Sequence, residues 1–278
     1  MLRQRVVTAV IMAALFLAAV ATLDLIALAI LFGVVAAAAV WEWSSLAGWS
    51  KVWQRGVYTA LFLVLLCVLW LICGLGQSPD REVLQPWLGV ACLFWSIAML
   101  LVESYPGSSW LWRNTATRSL MGWLILAATW LATLFLLTLP GGTLLMIILV
   151  IAVAAADIGA YFSGRRWGRH KLAPSVSPGK TWEGLWGGLA GVMLLTSVII
   201  AVLPRHLSHL PMETLLLIGL AVAGASVLGD LTVSMVKRSS GVKDSGALLP
   251  GHGGLLDRID SLCAAAPVFA LGLILAGY

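Results

Sequence analysis

Nine apolar stretches run through the chain, separated by short polar gaps, at about residues 6–22, 25–42, 57–73, 87–102, 119–139, 142–162, 184–203, 214–235 and 261–277. A helix needs about 20 mainly apolar residues to cross the hydrocarbon core of a bilayer. The pattern therefore predicts an all-α fold, a polytopic membrane bundle of about nine transmembrane helices. The first stretch follows Arg3 and Arg5, as in a signal peptide, but apolar character continues with little interruption to Trp41. That is too long for a cleaved leader, and it predicts a retained pair of helices hinged near Asp24.

The gaps carry an orientation signal. With the N-terminus in the cytoplasm and the stretches alternating, fifteen Lys and Arg residues fall inside, and only Arg81 and Arg205 fall outside. Cytoplasmic loops carry the excess of Lys and Arg. One miscounted helix would destroy the split, so the split supports an odd number of spans.

Composition agrees with the pattern. Hydrophobic residues make up 61% of the chain and charged residues 10%, against roughly a quarter charged in a soluble domain. The four cysteines, Cys67, Cys73, Cys92 and Cys263, lie in or beside apolar runs without CxxC spacing. They read as small buried residues rather than disulfides or zinc ligands.

Polar residues are unevenly placed. The first five stretches hold almost none, whereas ionisable residues and glycines crowd into two segments after Thr143. Residues 1–140 are expected to be a scaffold and residues 141–278 a catalytic region with two cytoplasmic polar loops. The first loop follows Asp157, which reads either as an acid facing an internal site or as an interfacial acid paired with Arg165 or Arg166. Beyond it, Ser175, Ser177, Pro178, Gly179 and Thr181 surround Lys180. Small residues and glycine beside a lysine suit a backbone that approaches phosphate. Gly179-Lys180-Thr181 is not a P-loop, because Pro174 stands where that motif needs glycine and a membrane span precedes it. Gly184, Gly187, Gly188 and Gly191 form two overlapping GxxxG spacings, which read as close helix packing.

The second cluster starts at Asp230 inside the eighth stretch. Asp230, Ser234 and Lys237 share one helix face, and the buried carboxylate needs a partner, either Lys237 or a metal ion. A glycine-rich segment with Lys243, Asp244 and His252 follows, closing on Asp257-Arg258-Ile259-Asp260. Asp257 and Asp260, three apart, point roughly the same way on a helical turn. Helix capping would account for one of them. Two acids near Asp230 repel unless a cation lies between, and hard oxygen donors suit magnesium. Neither a Ser-His-Asp nor a Cys-His arrangement is evident. Carboxylates, cations, glycines and one histidine are what phosphoryl or nucleotidyl transfer requires.

The run Ser234-Met235-Val236-Lys237-Arg238, Lys243-Asp244, His252-Gly253-Gly254, Asp257-Arg258-Ile259-Asp260 spans 27 positions. In order and spacing it resembles the signature of phosphatidate cytidylyltransferases, also called CDP-diglyceride synthetases. Ser177-Pro178-Gly179-Lys180-Thr181-Trp182-Glu183-Gly184 is similar to a second segment shared by that family, in which some relatives carry a further lysine at the position of Gly179. The resemblance covers about residues 150–278. It implies transfer of the cytidylyl group of CTP to phosphatidate with magnesium, giving CDP-diacylglycerol and pyrophosphate in phospholipid biosynthesis. It assigns catalysis to Asp230, Asp257, Asp260 and Lys237, and metal binding to the three aspartates. Substrate binding falls to Ser177, Lys180, Thr181, Arg238, Lys243, His252, Gly253, Gly254 and Arg258. Expected partners are CTP, phosphatidate in the bilayer and membrane lipids, with a homodimer allowed and nucleic acid not expected. The implied setting is a bacterial inner membrane, with the site facing the cytoplasm. Two rival readings are a cytidylyltransferase for another lipid phosphate and a cation-coupled transporter. Against the transporter, no internal repeat is visible.

Overall fold

The computed structural model describes residues 2–77, 79–202, 210–248 and 253–278, with the backbone alone for residues 2–9. Each predicted stretch is helical. In chain order the long helices are α1 (Leu2–Thr22), α2 (Leu25–Leu46), α3 (Val52–Ile72), α4 (Arg81–Glu103), α6 (Thr115–Thr138), α7 (Gly142–Trp167), α8 (Trp182–Val202), α9 (Met212–Ser239) and α10 (Leu256–Leu275). One short turn, α5 (Ser109–Trp112), precedes α6. Eight of these helices are long and apolar enough to cross a membrane, and α1 holds a shorter apolar stretch, Val10–Thr22. The chain is an all-α polytopic membrane bundle.

The expected hinge lies at Asp24, whose carboxylate accepts the Ala27 N–H at 2.7 Å and caps α2. Helix α6 is the most enclosed span and α8 the least; α6 packs against α2, α3, α4, α7 and α10. The α2–α6 contact is keyed by Trp43. Its ring lies against Gly122, where any side chain would clash, and its Nε1 donates to the Arg118 carbonyl at 2.7 Å.

Helices α7 and α8 meet through the glycines expected to pack. A Cβ on Gly188 would stand 2.7 Å from the Ala156 carbonyl oxygen, and one on Gly159 would stand 2.5 Å from that of Gly187. Small residues let the two backbones touch, and dispersion between them replaces the hydrophobic drive that lipid cannot supply.

Two helices outrun their apolar stretches. Helix α7 continues to Trp167 and α9 to Ser239, placing Arg165, Arg166, Lys237 and Arg238 in their last turns. Cations there complement the negative ends of the helix dipoles. The first polar loop is more ordered than its sequence indicates. It folds into an antiparallel hairpin of β1 (Lys171–Ala173) and β2 (Ser177–Thr181), with Lys171 opposite Thr181 and Ala173 opposite Ser177. Pro174 sits in the turn, and Val176 is buried beneath it. Glu183, in the first turn of α8, fastens the near end. It accepts the Arg169 and His170 N–H groups and meets His170 Nδ1 at 2.7 Å.

Candidate active site

Two lysine–aspartate ion pairs sit at one end of the bundle. Lys180, from β2, meets Asp230 of α9, with Nζ 2.7 Å from Oδ2. Lys237 of α9 meets Asp257 of α10, with Nζ 2.6 Å from Oδ1. The second pair is almost fully enclosed, its side chains 8% and 9% exposed, while the first is 25% and 31% exposed. These partners differ from the sequence expectation. Asp230 is neutralised from the other polar cluster, not by Lys237 on its own helix face, although Ser234 on that face donates to Asp230 Oδ1 at 3.1 Å. The hairpin explains the exchange, since β2 carries Lys180 back over the end of α9.

Asp257, in the first turn of α10, binds groups outside its own helix. Its Oδ2 accepts the Ser245 and Gly254 N–H groups at 2.9 and 3.2 Å, while Oδ1 holds Lys237. Asp260 is buried one turn on, and its Oδ1 accepts the Ser261 N–H at 2.8 Å. Helices α9 and α10 cross here at Gly229, whose Cα lies against the Asp260 carbonyl. Asp230 and Asp260 thus lie within each other's field, and within that of Lys180 and Lys237. Asp157 of α7 also feels Lys180 and Asp230. Of its two readings, the acid facing an internal site agrees with its place in the lining of a cavity, while Arg165, one of the alternative partners, donates to the Tyr161 hydroxyl at 2.9 Å.

Among the described residues, no three His, Cys, Asp or Glu side chains gather into a ready metal cage. Magnesium seldom uses one. It takes one or two carboxylates and completes its shell with water and substrate phosphates. The all-oxygen donor set of Asp230 and Asp260, on crossing helices, fits that habit.

The remaining residues of the sequence reading divide by what they touch. Thr181 is buried, and its hydroxyl accepts the Gly184 N–H at 3.1 Å, so it caps α8. Ser177 lies in the ladder opposite Ala173. Arg238 donates to the Val176 and Val242 carbonyls, each at 3.2 Å, tying α9 to the hairpin. Lys243 and Arg258 are exposed. Gly253 has φ +82°, a left-handed conformation natural to glycine, and Gly254 packs against Ser245 and Glu42. His252 lies outside the described residues.

A cavity of about 350 Å³ opens beside the exposed pair. Asp157, Tyr161 and Arg165 line it from α7, Lys180 and Thr181 from the hairpin, and Val227 from α9. Its lining mixes the charged Asp157, Arg165 and Lys180 with the apolar Leu172, Leu185 and Val227, which suits a molecule with a charged head and a hydrocarbon body.

Two residues of the N-terminal helices escaped the sequence reading. Arg118 of α6 is buried and donates to the Leu46 carbonyl and the Ser239 and Ser240 hydroxyls at 2.6–3.0 Å. Glu42 of α2 is buried and accepts from Ser245, Leu255 and Leu256. A lone acid in Trp-Glu-Trp-Ser-Ser carries no local signal, because its partners lie more than 200 residues away in sequence.

The chain matches the profile of the Cytidylyltransferase family over residues 3–275. It is 42% identical over 279 residues to the phosphatidate cytidylyltransferase of Pseudomonas aeruginosa, spanning 100% of this chain and 99% of that protein. It is 39% identical over 288 residues to that of Haemophilus influenzae, spanning 97% of this chain and 98% of the relative. A shorter similarity, 45% over 131 residues, links 46% of the chain to 43% of the phosphatidate cytidylyltransferase of Synechocystis. Matched in this way from end to end, the chain belongs to the cytidylyltransferase family.

Proposed function

We propose that the protein transfers the cytidylyl group of CTP to phosphatidate, giving CDP-diacylglycerol and pyrophosphate, at the cytoplasmic face of a bacterial inner membrane. The full-length similarity to phosphatidate cytidylyltransferases supports the reaction. The observation that carries the site is the pair of lysine–aspartate contacts at one end of the bundle, with Lys180 of the first also lining a cavity of mixed polar and apolar character.

The nucleophile is a phosphate oxygen of phosphatidate. A phosphate monoester is largely dianionic near neutral pH, with a second pKa of about 6, so no strong general base is needed. That oxygen bonds to the α-phosphorus of CTP as the bond to the bridging oxygen of pyrophosphate breaks. The difficulty lies in bringing a dianion to a triphosphate. Lys180 is held by a half-exposed carboxylate at the cavity wall, where arriving phosphate oxygens compete with Asp230 for its ammonium. Lys237 is the deeper cation, and Arg238, Lys243 and Arg258 would add positive charge for the phosphates. Asp230 and Asp260 would hold magnesium, which supplies a template and Lewis acid when bound. Asp257, its oxygens taken by Lys237, Ser245 and Gly254, would set the Lys237 ammonium in place beside them. In this reading the catalytic groups lie in residues 141–278, and residues 1–140 frame them.

Purified protein should release one pyrophosphate per CTP consumed, and only when phosphatidate is present. Release should vanish in excess chelator and return with magnesium. Full activity in chelator would remove the metal from the account. Lys180→Ala is expected to lower kcat/KM for CTP about ten- to a hundredfold, since a hydrogen bond to a charged group is worth about 1.5–3 kcal/mol. Lys51→Ala, at the start of α3, should change little. Equal losses at both positions would mean that general surface charge, not a site, is being read.

Orientation has its own test. The basic residues of several polar segments meet at one end of the bundle, where Arg118 reaches Ser239 and Arg238 reaches Val176. Reporter fusions after Gly76 and after Pro174 should therefore lie on opposite sides of the membrane, the second in the cytoplasm. Fusions reporting the same side would contradict the arrangement.

A further inference from the structure

Helix α10 begins without a side-chain cap of its own, because its N-cap residue is Leu255. The first amides of a helix need acceptors, and the end they form is electropositive. Here the acceptor comes from α2, 213 residues away in sequence. Glu42, 2% exposed, accepts the Leu255 N–H at 3.1 Å on Oε1 and the Leu256 N–H at 2.9 Å on Oε2. Its Oε2 also accepts the Ser245 hydroxyl at 3.0 Å. Two glycines make room for it. A Cβ on Gly254 would lie 2.6 Å from Oε2, and one on Gly246 would collide with Oε1. The neighbouring Trp43, locked to Gly122 and the Arg118 carbonyl, fixes the depth of Glu42.

The stretches that Glu42 holds are the ones that hold Asp257. Ser245 gives its hydroxyl to Glu42 and its N–H to Asp257. Gly254 gives its N–H to Asp257, and the next two amides go to Glu42. We propose that Glu42 is a positioning residue for the reaction: it clamps residues 245 and 254–256 so that Asp257 presents its carboxylate to Lys237. A carboxylate is required because all three groups are donors. A glutamine, turned either way, sets an N–H₂ against at least one backbone N–H.

The kinetic half of the test rests on the cytidylyl-transfer reading; the exchange half does not. Full-length Glu42→Gln and Ser245→Ala would be purified beside wild type. Hydrogen–deuterium exchange would be followed in residues 243–248 and 253–258, and kcat and KM for CTP measured. Glu42→Gln should speed exchange in both stretches about tenfold or more, with α6 still protected. Its kcat should fall about ten- to a hundredfold, as supporting contacts around a site typically cost, with KM for CTP unchanged. Ser245→Ala removes one donor without introducing another, and should move both readouts the same way by less. Should Glu42→Gln fail to fold, Ser245→Ala decides on the same criteria. Unchanged exchange overturns the clamp. Faster exchange with kcat within twofold of wild type reduces Glu42 to a helix cap. A wild-type protein that makes no CDP-lipid overturns the reaction instead, and the exchange data then judge the clamp alone.

Discussion

Asp257→Asn is expected to lower CDP-lipid formation about a thousandfold or more, the scale of losing several kcal/mol of transition-state stabilisation. Its geometry makes the single variant ambiguous. Asparagine could still accept the Ser245 and Gly254 N–H groups, but it would leave the enclosed Lys237 ammonium without its counter-charge. Breaking one side of a buried pair costs about 3–5 kcal/mol of stability, whereas removing both charges is often neutral. Asp257→Asn combined with Lys237→Met separates the two effects. The double variant should recover thermal stability and remain inactive. Recovery of activity along with stability would make the pair structural and return Asp257 to a role in anchoring α10.

Asp230→Asn should also be nearly inactive, for a different reason. The Asp230 side chain is 31% exposed against 9% for Asp257, so neutralising it threatens the fold less, and Lys180 can turn toward the cavity that it lines. What is lost is an anionic oxygen donor beside Asp260 and the counter-ion that parks Lys180. A fall of about a thousandfold in kcat at unchanged melting temperature is the expected result. Asp24→Asn is the matched control, because asparagine caps a helix about as well as aspartate and, among the described residues, Asp24 serves to cap α2. Near-wild-type turnover by Asp230→Asn would remove it from the catalytic set.

Much of this organisation is legible in the sequence because lipid imposes a simple rule. A span must satisfy its own backbone, so each long apolar run becomes a helix, and helices α1 to α4 and α6 to α10 lie where those runs lie. The glycines of α8 are equally legible, since GxxxG spacing has one dominant physical use. The pairing of charges is not. Lys180 reaches Asp230 only because a hairpin too short to leave a periodic signal folds back over α9. Lys237 turns to Asp257 because α10 crosses α9 at Gly229, a contact that spacing within α9 cannot reveal. Thr181, read as a phosphate contact, also accepts the Gly184 N–H at the start of α8, a second use that its spacing does not reveal. Glu42 and Arg118 lie in apolar helices whose sequence describes a scaffold. Their role appears only once α2 and α6 are packed against the end of α9 and the start of α10.

On the proposed mechanism, CTP and phosphatidate meet at the Lys180–Asp230 and Lys237–Asp257 pairs. The most direct measurement incubates the purified protein with CTP labelled at the α-phosphate, phosphatidate and magnesium in mixed micelles, then extracts the lipid. Label is expected in a lipid that co-migrates with CDP-diacylglycerol, in proportion to added phosphatidate and absent with Asp230→Asn. Label confined to the aqueous phase, together with cation uptake into vesicles carrying the protein, would contradict it and favour a transporter.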